Sequence, residues 1–196
     1  MKAILISIKP QWVAKILNGE KTLEVRKSMP KCDLPIDVYI YCTKEDSLGR
    51  IKELPKDRYF VDCVETPQDF AKMDSGYDGK GKVVAKFTLN NVDEHHVLPT
   101  ERILPFNWNV EKKLKDLCLT KEEVMAYGNG EDYQAFLWHI DNLVIFGRPK
   151  ELSEFRSANK YEAFINTIKV YRVYKPLTKA PQSWCYVEIW LWQIKD

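Results

Sequence analysis

Residues 18–27 read NGEKTLEVRK, and this stretch decides how the N-terminal part of the chain is interpreted. The segment before it, Pro10–Asn18, is predicted to form a helix, because proline is favoured at a first helical position and the apolar residues recur on one face. Gly19 then supplies the left-handed residue with which many helices end. We therefore expect a helix that stops near Asn18 and a strand that follows shortly after it.

The strand predicted over Thr22–Arg26 has one apolar and one polar face. Leu23 and Val25 point one way, whereas Glu24 and Arg26 point the other way with Thr22. Glu24 and Arg26 are then separated by roughly 7 Å between their Cα atoms, so they can form an ion pair or point together at a ligand. Both interpretations remain open from the residues alone.

Lys21 lies at the junction between this helix and this strand. A lysine in such a position can bind a phosphate or act as a base, and it can equally be a solvated residue in a tight turn. Arg26 adds a guanidinium group that can hold a phosphate through two parallel hydrogen bonds. The segment is thus predicted to form the wall of a polar pocket.

The pattern G-x-K-x-x-E-x-R formed by these residues resembles the signature of the ASCH superfamily, a group of small β-barrels related to the PUA RNA-binding fold. Three more segments resemble the family's first, central and closing strands, namely Ile4–Lys9, Gly81–Leu89 and Pro181–Glu188. The matching segments are spread from one end of the chain to the other. The resemblance, which is to stand-alone members from phages and bacteria, implies an α+β fold: a small PUA-like β-barrel, mixed but largely antiparallel, with flanking helices and insertions.

The same resemblance implies a protein that binds RNA or a modified nucleoside in a polar cleft. The residues expected to line that cleft are Lys9, Lys21, Glu24, Arg26 and Ser183. A stripe of aromatic residues on the last predicted strand could stack nucleobases, although core packing is favoured for it; the stripe comprises Trp184, Tyr186, Trp190 and Trp192.

An enzymatic function is the first alternative. Nuclease-like ASCH proteins imply a catalytic set of Lys21, Ser183 and a tyrosine, either Tyr41 or Tyr39, that would cleave RNA without a metal. The family's nucleoside amidohydrolases instead use a lysine with a threonine three residues later, and in this chain that later position is Glu24. The departure argues against acetylcytidine hydrolysis by that mechanism.

A protein-interaction module is the second alternative. Residues 44–81 are rich in Lys, Asp, Glu and Gly and are predicted to form a long surface excursion, with an edge strand near Tyr59–Val64. Such an excursion could dock a protein partner while the pocket serves no ligand.

Composition restricts the remaining possibilities. The chain has 196 residues, a net charge of +2 and 45% hydrophobic residues, which is typical of one globular domain with insertions, near 44–81, 98–134 and 149–167. No apolar run approaches the roughly 20 residues that span a bilayer, and no leader is recognised, so a cytoplasmic location is expected. The near-neutral charge neither requires nor excludes a nucleic-acid partner.

No cofactor or metal is predicted. The five cysteines are scattered without a Cys-x-x-Cys pair, and the glycines of residues 76–81 lack the spacing of a phosphate-binding loop. His139 is interpreted as a buried imidazole with a partner, and the pair His95-His96 as loop surface.

The rest of the chain is predicted to be rich in strands. Strands are expected over 36–42, 82–89, 135–146 (split near Asp141-Asn142), 169–174 and 183–194. Thr120 and Glu123 form a capping-box pattern at the start of a helix that ends near Gly128, and a short helix is expected after Asn109. The i, i+3, i+4, i+7 spacing of apolar residues in Ser157–Ile168 predicts one more helix.

Overall fold

The computed structural model describes residues 2–44, 50–54, 58–61, 77–97, 110–129, 131–158, 161–165, 168–173 and 175–189. Three α-helices lie in these ranges: α1 (Pro10–Leu17), α2 (Val110–Leu117) and α3 (Lys121–Tyr127). The first eight strands are β1 (Lys2–Ile8), β2 (Leu23–Arg26), β3 (Ile36–Cys42), β4 (Arg50–Leu54), β5 (Arg58–Val61), β6 (Tyr77–Asp78), β7 (Val83–Leu89) and β8 (Val92–Val97). The later strands are β9 (Tyr133–His139), β10 (Asp141–Lys150), β11 (Arg156–Ser157), β12 (Tyr161–Ile165), β13 (Ile168–Val173) and β14 (Trp184–Glu188), and a 3₁₀ turn spans Leu152–Glu154.

The main sheet has six strands in the order β10-β7-β3-β1-β14-β11. The strand β1 is central, parallel to β3 and antiparallel to β14, and every residue from Ala3 to Ile8 is buried. One face of the sheet packs against α1 and Trp138, and the other face, which carries Phe146 of β10, packs against Phe155. Burial on both faces explains why β1 reads as a continuous apolar run instead of an alternating one.

A second sheet, in the order β2-β9-β8, carries the signature segment. Leu23 and Val25 contribute one face of β2 to a hydrophobic cluster with Leu117 of α2 and Val124 of α3. The helices α2 and α3 therefore cover the apolar face of β2, and the polar side chains of β2 lie on its opposite face. This alternation is the one that the sequence predicts.

The C-terminal end of α1 and the N-terminal end of α3 confirm two local predictions. Gly19 has a φ of +74° directly after α1, a conformation that glycine adopts without strain. The Thr120 hydroxyl accepts the Glu123 backbone N–H, and the Glu123 carboxylate accepts the Thr120 backbone N–H, which forms the capping box before α3.

The predicted helix over Ser157–Ile168 is wrong. The strands β12 and β13 occupy Tyr161–Ile165 and Ile168–Val173, and they pair antiparallel with Ile165 opposite Ile168. Aromatic and β-branched residues dominate both segments, and these residues favour strands over helices. A short apolar run is compatible with both the helical period of about 3.6 residues and the strand period of about two. Here the antiparallel pairing of the two segments decides in favour of strands.

The predicted α+β fold with a mixed, largely antiparallel sheet arrangement is confirmed, but the barrel is open. The described strands form four separate sheets, including a three-stranded one in the order β5-β4-β6 and the β12-β13 pair. The strand β5 lies at a sheet edge and coincides with the first part of the edge strand predicted near Tyr59–Val64. Residues 62–64 of that prediction, and 190–194 of the predicted last strand, lie outside the described ranges.

Gly128, at the end of α3, is required for packing and not for its backbone angles. Its φ of −76° suits any residue, but a Cβ there would lie 2.5 Å from the Tyr133 ring and 2.6 Å from the Glu131 carbonyl oxygen. We expect Gly128→Ala to lower the free energy of unfolding by about 1–3 kcal/mol, because the crowded ring and backbone must shift. Urea denaturation measures this loss.

Gly147 provides the matched control, since a Cβ there meets nothing within 4 Å. We expect Gly147→Ala to change the stability by less than about 1 kcal/mol. Equal stabilities of the two variants would show that α3 and β9 can separate at no cost.

Candidate functional site

A cleft of about 900 Å³ opens where the polar face of β2 meets the start of α1. Its wall also includes α3, the residue after β3 and the segment that leads into β14. The five residues predicted to bind a ligand all line this cleft: Lys9, Lys21, Glu24, Arg26 and Ser183. The volume lies in the range of small-molecule and cofactor sites.

Lys21 is held in place by the end of α1 and by α2. Its backbone N–H donates to the Lys15 carbonyl at 3.0 Å, which continues the turn that Gly19 begins. Its side chain is only 2% exposed, and Nζ donates to the Leu117 carbonyl oxygen at 2.7 Å. Leu117 is the last residue of α2, where the carbonyl groups carry the negative end of the helix dipole, so this position favours a cation.

Glu24 bridges the two buried cations of the signature. Its Oε2 lies 3.3 Å from Lys21 Nζ, and its Oε1 lies 3.0 Å from an Arg26 guanidinium nitrogen. All three residues are at least nine-tenths buried. The group, called here the buried triad, contains two cationic side chains and one anionic one, so it carries an excess of positive charge beside the cleft.

Arg26 connects the buried triad to the main sheet. Its Nη2 donates to the Ser7 carbonyl oxygen at 2.8 Å, and Ser7 in turn donates through its hydroxyl to the Pro181 carbonyl oxygen at 2.7 Å. The Ser7 N–H donates to the Ser183 carbonyl oxygen at 2.9 Å. The Arg26 Nε is buried and has no hydrogen-bond partner within the described ranges, so one donor of the guanidinium is left for a further acceptor.

Tyr41, the tyrosine that the nuclease hypothesis requires, does not line the cleft. It is 5% exposed and packs with Tyr39 and Val83 on the face of the main sheet that lies away from α1. Burial raises the pKa of Tyr41, and the neighbouring Cys42 and Glu151 raise it further. Tyr39 is no substitute, because burial raises its pKa to about 12 and it packs between Phe146 and Phe155. Both tyrosines are core residues of this fold.

The sequence did not identify the contribution of α3. Glu123, Ala126 and Tyr127 follow the i, i+3, i+4 spacing of one helix face, and all three line the cleft. The capping box predicts the helix, but nothing local predicts that this face meets β2. Lys27 and Thr43 also line the cleft without having been predicted.

Two members of the aromatic stripe on the last predicted strand, Trp184 and Tyr186, lie within the described ranges. The Trp184 and Tyr186 rings are half-buried against the cluster around α1, and Trp184 lies 5.6 Å from the Trp138 ring. Trp190 and Trp192 lie outside the described ranges. The aromatic side chains in the lining of the cleft are instead Trp12, whose ring centroid is 5.6 Å from Lys21 Nζ, and Tyr127.

A second polar cluster lies on β8 and β9, and it corrects the interpretation of His95 as loop surface. His95 is a half-buried residue of β8, and its Nε2 is 2.9 Å from Lys113 Nζ of α2. Lys113 also pairs with Asp93, and His139 Nε2 lies 3.3 Å from the same carboxylate. Burial opposes ionisation of Asp93, but hydrogen bonds from Lys113 and His139 outweigh it and lower the pKa of Asp93. This cluster fastens α2, and hence the carbonyl group that holds Lys21, to the second sheet.

Among the residues that the structure describes, no group of three or more His, Cys, Asp or Glu side chains could hold a metal ion. None of the described helices combines the length and the hydrophobicity that a membrane crossing requires.

The stability should depend on pH through His95. Burial lowers the pKa of His95 below its ordinary 6.5, the Lys113 charge lowers it further, and Asp93 opposes the shift. Below about pH 6.5 the unfolded chain therefore binds more protons at this site than the folded one, and stability is lost as the pH falls. We expect urea denaturation midpoints to fall between about pH 7.5 and pH 5 by less in His95→Gln than in the unmodified protein.

His96→Gln is the control, because His96 is the next residue of β8 and is more than half exposed. It should retain the pH dependence of the unmodified protein. Asp93 affects stability in a separate pH range, below about pH 4. Because its pKa is lowered in the folded protein, its ionised carboxylate stabilises the fold until the group is protonated. An identical pH dependence in His95→Gln and the unmodified protein would contradict the assignment.

Loss of the Glu24 charge should destabilise the fold. We expect Glu24→Gln to lower the free energy of unfolding by about 3–5 kcal/mol, because two buried cations would lose their shared counter-ion. Glu20→Gln tests the specificity: Glu20 pairs with Lys15 at 3.4 Å on the surface, and its loss should cost less than about 1 kcal/mol. Chemical denaturation of both variants gives the comparison, and a small loss in Glu24→Gln would mean that the buried triad is not a structural ion-pair network.

No protein-family model matches this chain, and no curated protein matches it. Solved structures of the ASCH protein from Zymomonas mobilis are similar to it. That protein is 17% identical to the chain, with a TM-score of 0.47 over 76% of this chain and 73% of the other. A tyrosine-to-phenylalanine variant of it is 16% identical, with a TM-score of 0.48 over 78% and 77% of the two chains.

A serine-to-alanine variant of the same Zymomonas mobilis protein is 15% identical to this chain. The match covers 95% of this chain and 88% of the other, with a TM-score of 0.53. Likeness at this level of identity establishes the fold and carries no activity from one protein to the other. By its fold, this chain is similar to the ASCH protein of Zymomonas mobilis.

Proposed function

We propose that this protein binds RNA, with the phosphate backbone held in the cleft beside the buried triad. The observation that carries the proposal is the buried excess of positive charge formed by Lys21, Arg26 and Glu24. A cation in a site of low polarity needs compensation by an anion, and the only acidic member of the triad serves two cations.

The charged side chains that line the cleft are predominantly cationic. Four cationic side chains and two acidic ones line the cleft, and the additional cations are Lys9 and Lys27. One of the two acidic residues, Glu123, is already bonded within the capping box of α3. The cleft therefore favours a polyanion over a neutral nucleoside.

Hydrogen-bonding capacity also remains for an anionic ligand. The ammonium group of Lys21 has three donors, and the Leu117 carbonyl and Glu24 account for two of them. The unpaired Nε of Arg26 adds a second donor type. Charge-assisted hydrogen bonds from such groups are the strongest contacts that a phosphate makes.

The resemblance to a family with RNA-binding members supports RNA as the source of that phosphate. An amidohydrolase function is less well supported, since the residue three positions after Lys21 is Glu24, and Glu24 is engaged in two ion pairs. The ribonuclease alternative keeps Lys21 and Ser183 in one cleft but loses Tyr41 to the core. With RNA as ligand, we place the protein in the cytoplasm.

A fluorescence titration with a short single-stranded RNA tests the proposal. We expect Lys21→Ala to weaken binding by roughly 10- to 100-fold, which corresponds to the loss of one charge-assisted hydrogen bond. Lys15→Ala is the matched control, because Lys15 lies on α1 outside the cleft. Affinity should also fall as salt is added, with a shallow slope set by the few phosphate contacts.

A second variant, in which the buried triad is intact, tests the proposal even if Lys21→Ala fails to fold. Lys27 is exposed and lines the cleft, so Lys27→Ala should weaken binding without loss of stability. The proposal fails if the unmodified protein shows no affinity for the RNA at low salt, or if Lys21→Ala and Lys27→Ala both bind as the unmodified protein does. Gel analysis of the same mixtures with chelator present reports cleavage, and intact RNA after hours would exclude the ribonuclease alternative.

A further inference from the structure

We propose that Tyr127 is the stacking platform for a nucleobase of the bound RNA, adjoining the phosphate contacts of the buried triad. This inference rests on the proposed function and specifies how the base portion of the ligand is held.

Tyr127 is an exposed aromatic residue on the wall of the cleft. Only three large hydrophobic side chains are exposed among the described residues, and Tyr127 is the one aromatic residue of the three, at 36% exposed. The other two, Met29 and Val144, do not line the cleft. An aromatic ring that remains partly exposed on the wall of a polar cleft is suited to stacking with a planar ligand.

The Tyr127 ring packs against the ring of Tyr133. Its centroid is 5.9 Å from that of Tyr133, and the two planes are inclined at 61°, which is an edge-to-face arrangement. Tyr133 is itself buried, and its hydroxyl donates to the Val124 carbonyl oxygen at 2.6 Å. The absence of a Cβ at Gly128 lets Tyr133 approach this closely. A ring held in this way loses little freedom when a base stacks on it, so the platform is preorganised.

Lys27 places a cation over the Tyr127 ring. Its Nζ lies 5.3 Å from the Tyr127 ring centroid and 5.6 Å from that of Tyr133, within the range of cation–π contacts. Lys27 directly follows Arg26 in the chain, so the aromatic platform and the buried triad are connected by consecutive residues. In a nucleotide a phosphate and an aromatic base are likewise close together, because one sugar joins them.

The size of the cleft agrees with this assignment. About 900 Å³ is far more room than a lone phosphate requires, and it accommodates a base and sugar as well. Stacking depends on the π-face that every base presents, so we expect little preference among the four bases.

The test compares two RNA oligonucleotides of equal length, one with normal bases and one with abasic riboses throughout. We expect Tyr127→Ala to weaken binding of the base-bearing RNA by roughly 5- to 150-fold and to leave binding of the abasic RNA unchanged. Tyr127→Phe should retain the affinity of the unmodified protein, because it keeps the ring. Val144→Ala removes an exposed apolar side chain away from the cleft and should change neither titration.

A spectroscopic signature separates stacking from a structural effect. An RNA that carries the fluorescent base 2-aminopurine should lose emission on binding to the unmodified protein and to Tyr127→Phe, and should lose less on saturation of Tyr127→Ala. The inference is overturned if Tyr127→Ala binds base-bearing RNA with unchanged affinity while Lys27→Ala is weakened, an outcome that leaves the proposed function standing. If the unmodified protein binds neither oligonucleotide, the proposed function and the stacking platform fail together.

Discussion

The carboxylate of Glu24 is the constraint on which the arrangement of the cleft depends. It holds Lys21 from the turn after α1 and Arg26 from the end of β2, and these two cations would repel each other without it. Through its partners the same carboxylate reaches two other elements, since Lys21 bonds to the last carbonyl of α2 and Arg26 to the Ser7 carbonyl of β1. A single buried anion thus sets the positions of four elements around one cavity.

Burial fixes the geometry of these ion pairs, but it also imposes a desolvation cost on the three charged groups. Ion pairs in a protein interior are stabilised only when desolvation is offset by good geometry and additional hydrogen bonds, and apolar replacements often stabilise a fold more. The triad has the additional bonds, but it contains one more cation than anion. A group that served stability alone would gain from a balanced or apolar composition, and the surplus charge agrees with the proposal that the cleft binds an anion.

The local features of the site could be predicted from the sequence because short-range rules govern them. Gly19 ends α1, Leu23 and Val25 alternate with the polar residues of β2, and Thr120 caps α3 with Glu123. The features that failed depend on tertiary contacts. Tyr41 alternates correctly within β3, but its burial in a cluster with Phe146 and Phe155, which keeps it out of the cleft, depends on tertiary packing. The residues of β12 satisfy a helical period as well as a strand period, and pairing with β13 decides between them.

The pairing of β1 with β14 has a consequence for the order in which the cleft is completed. Lys2 lies opposite Glu188, so the two strands that meet beside Ser7 are among the most distant in the chain. During synthesis β1 can join β3 early, while its other edge remains unpaired until β14 has been made. Contacts of such long sequence separation form late in folding. The cavity is therefore completed only after Gln182 and Ser183, which line it, have been synthesised and β14 has joined β1.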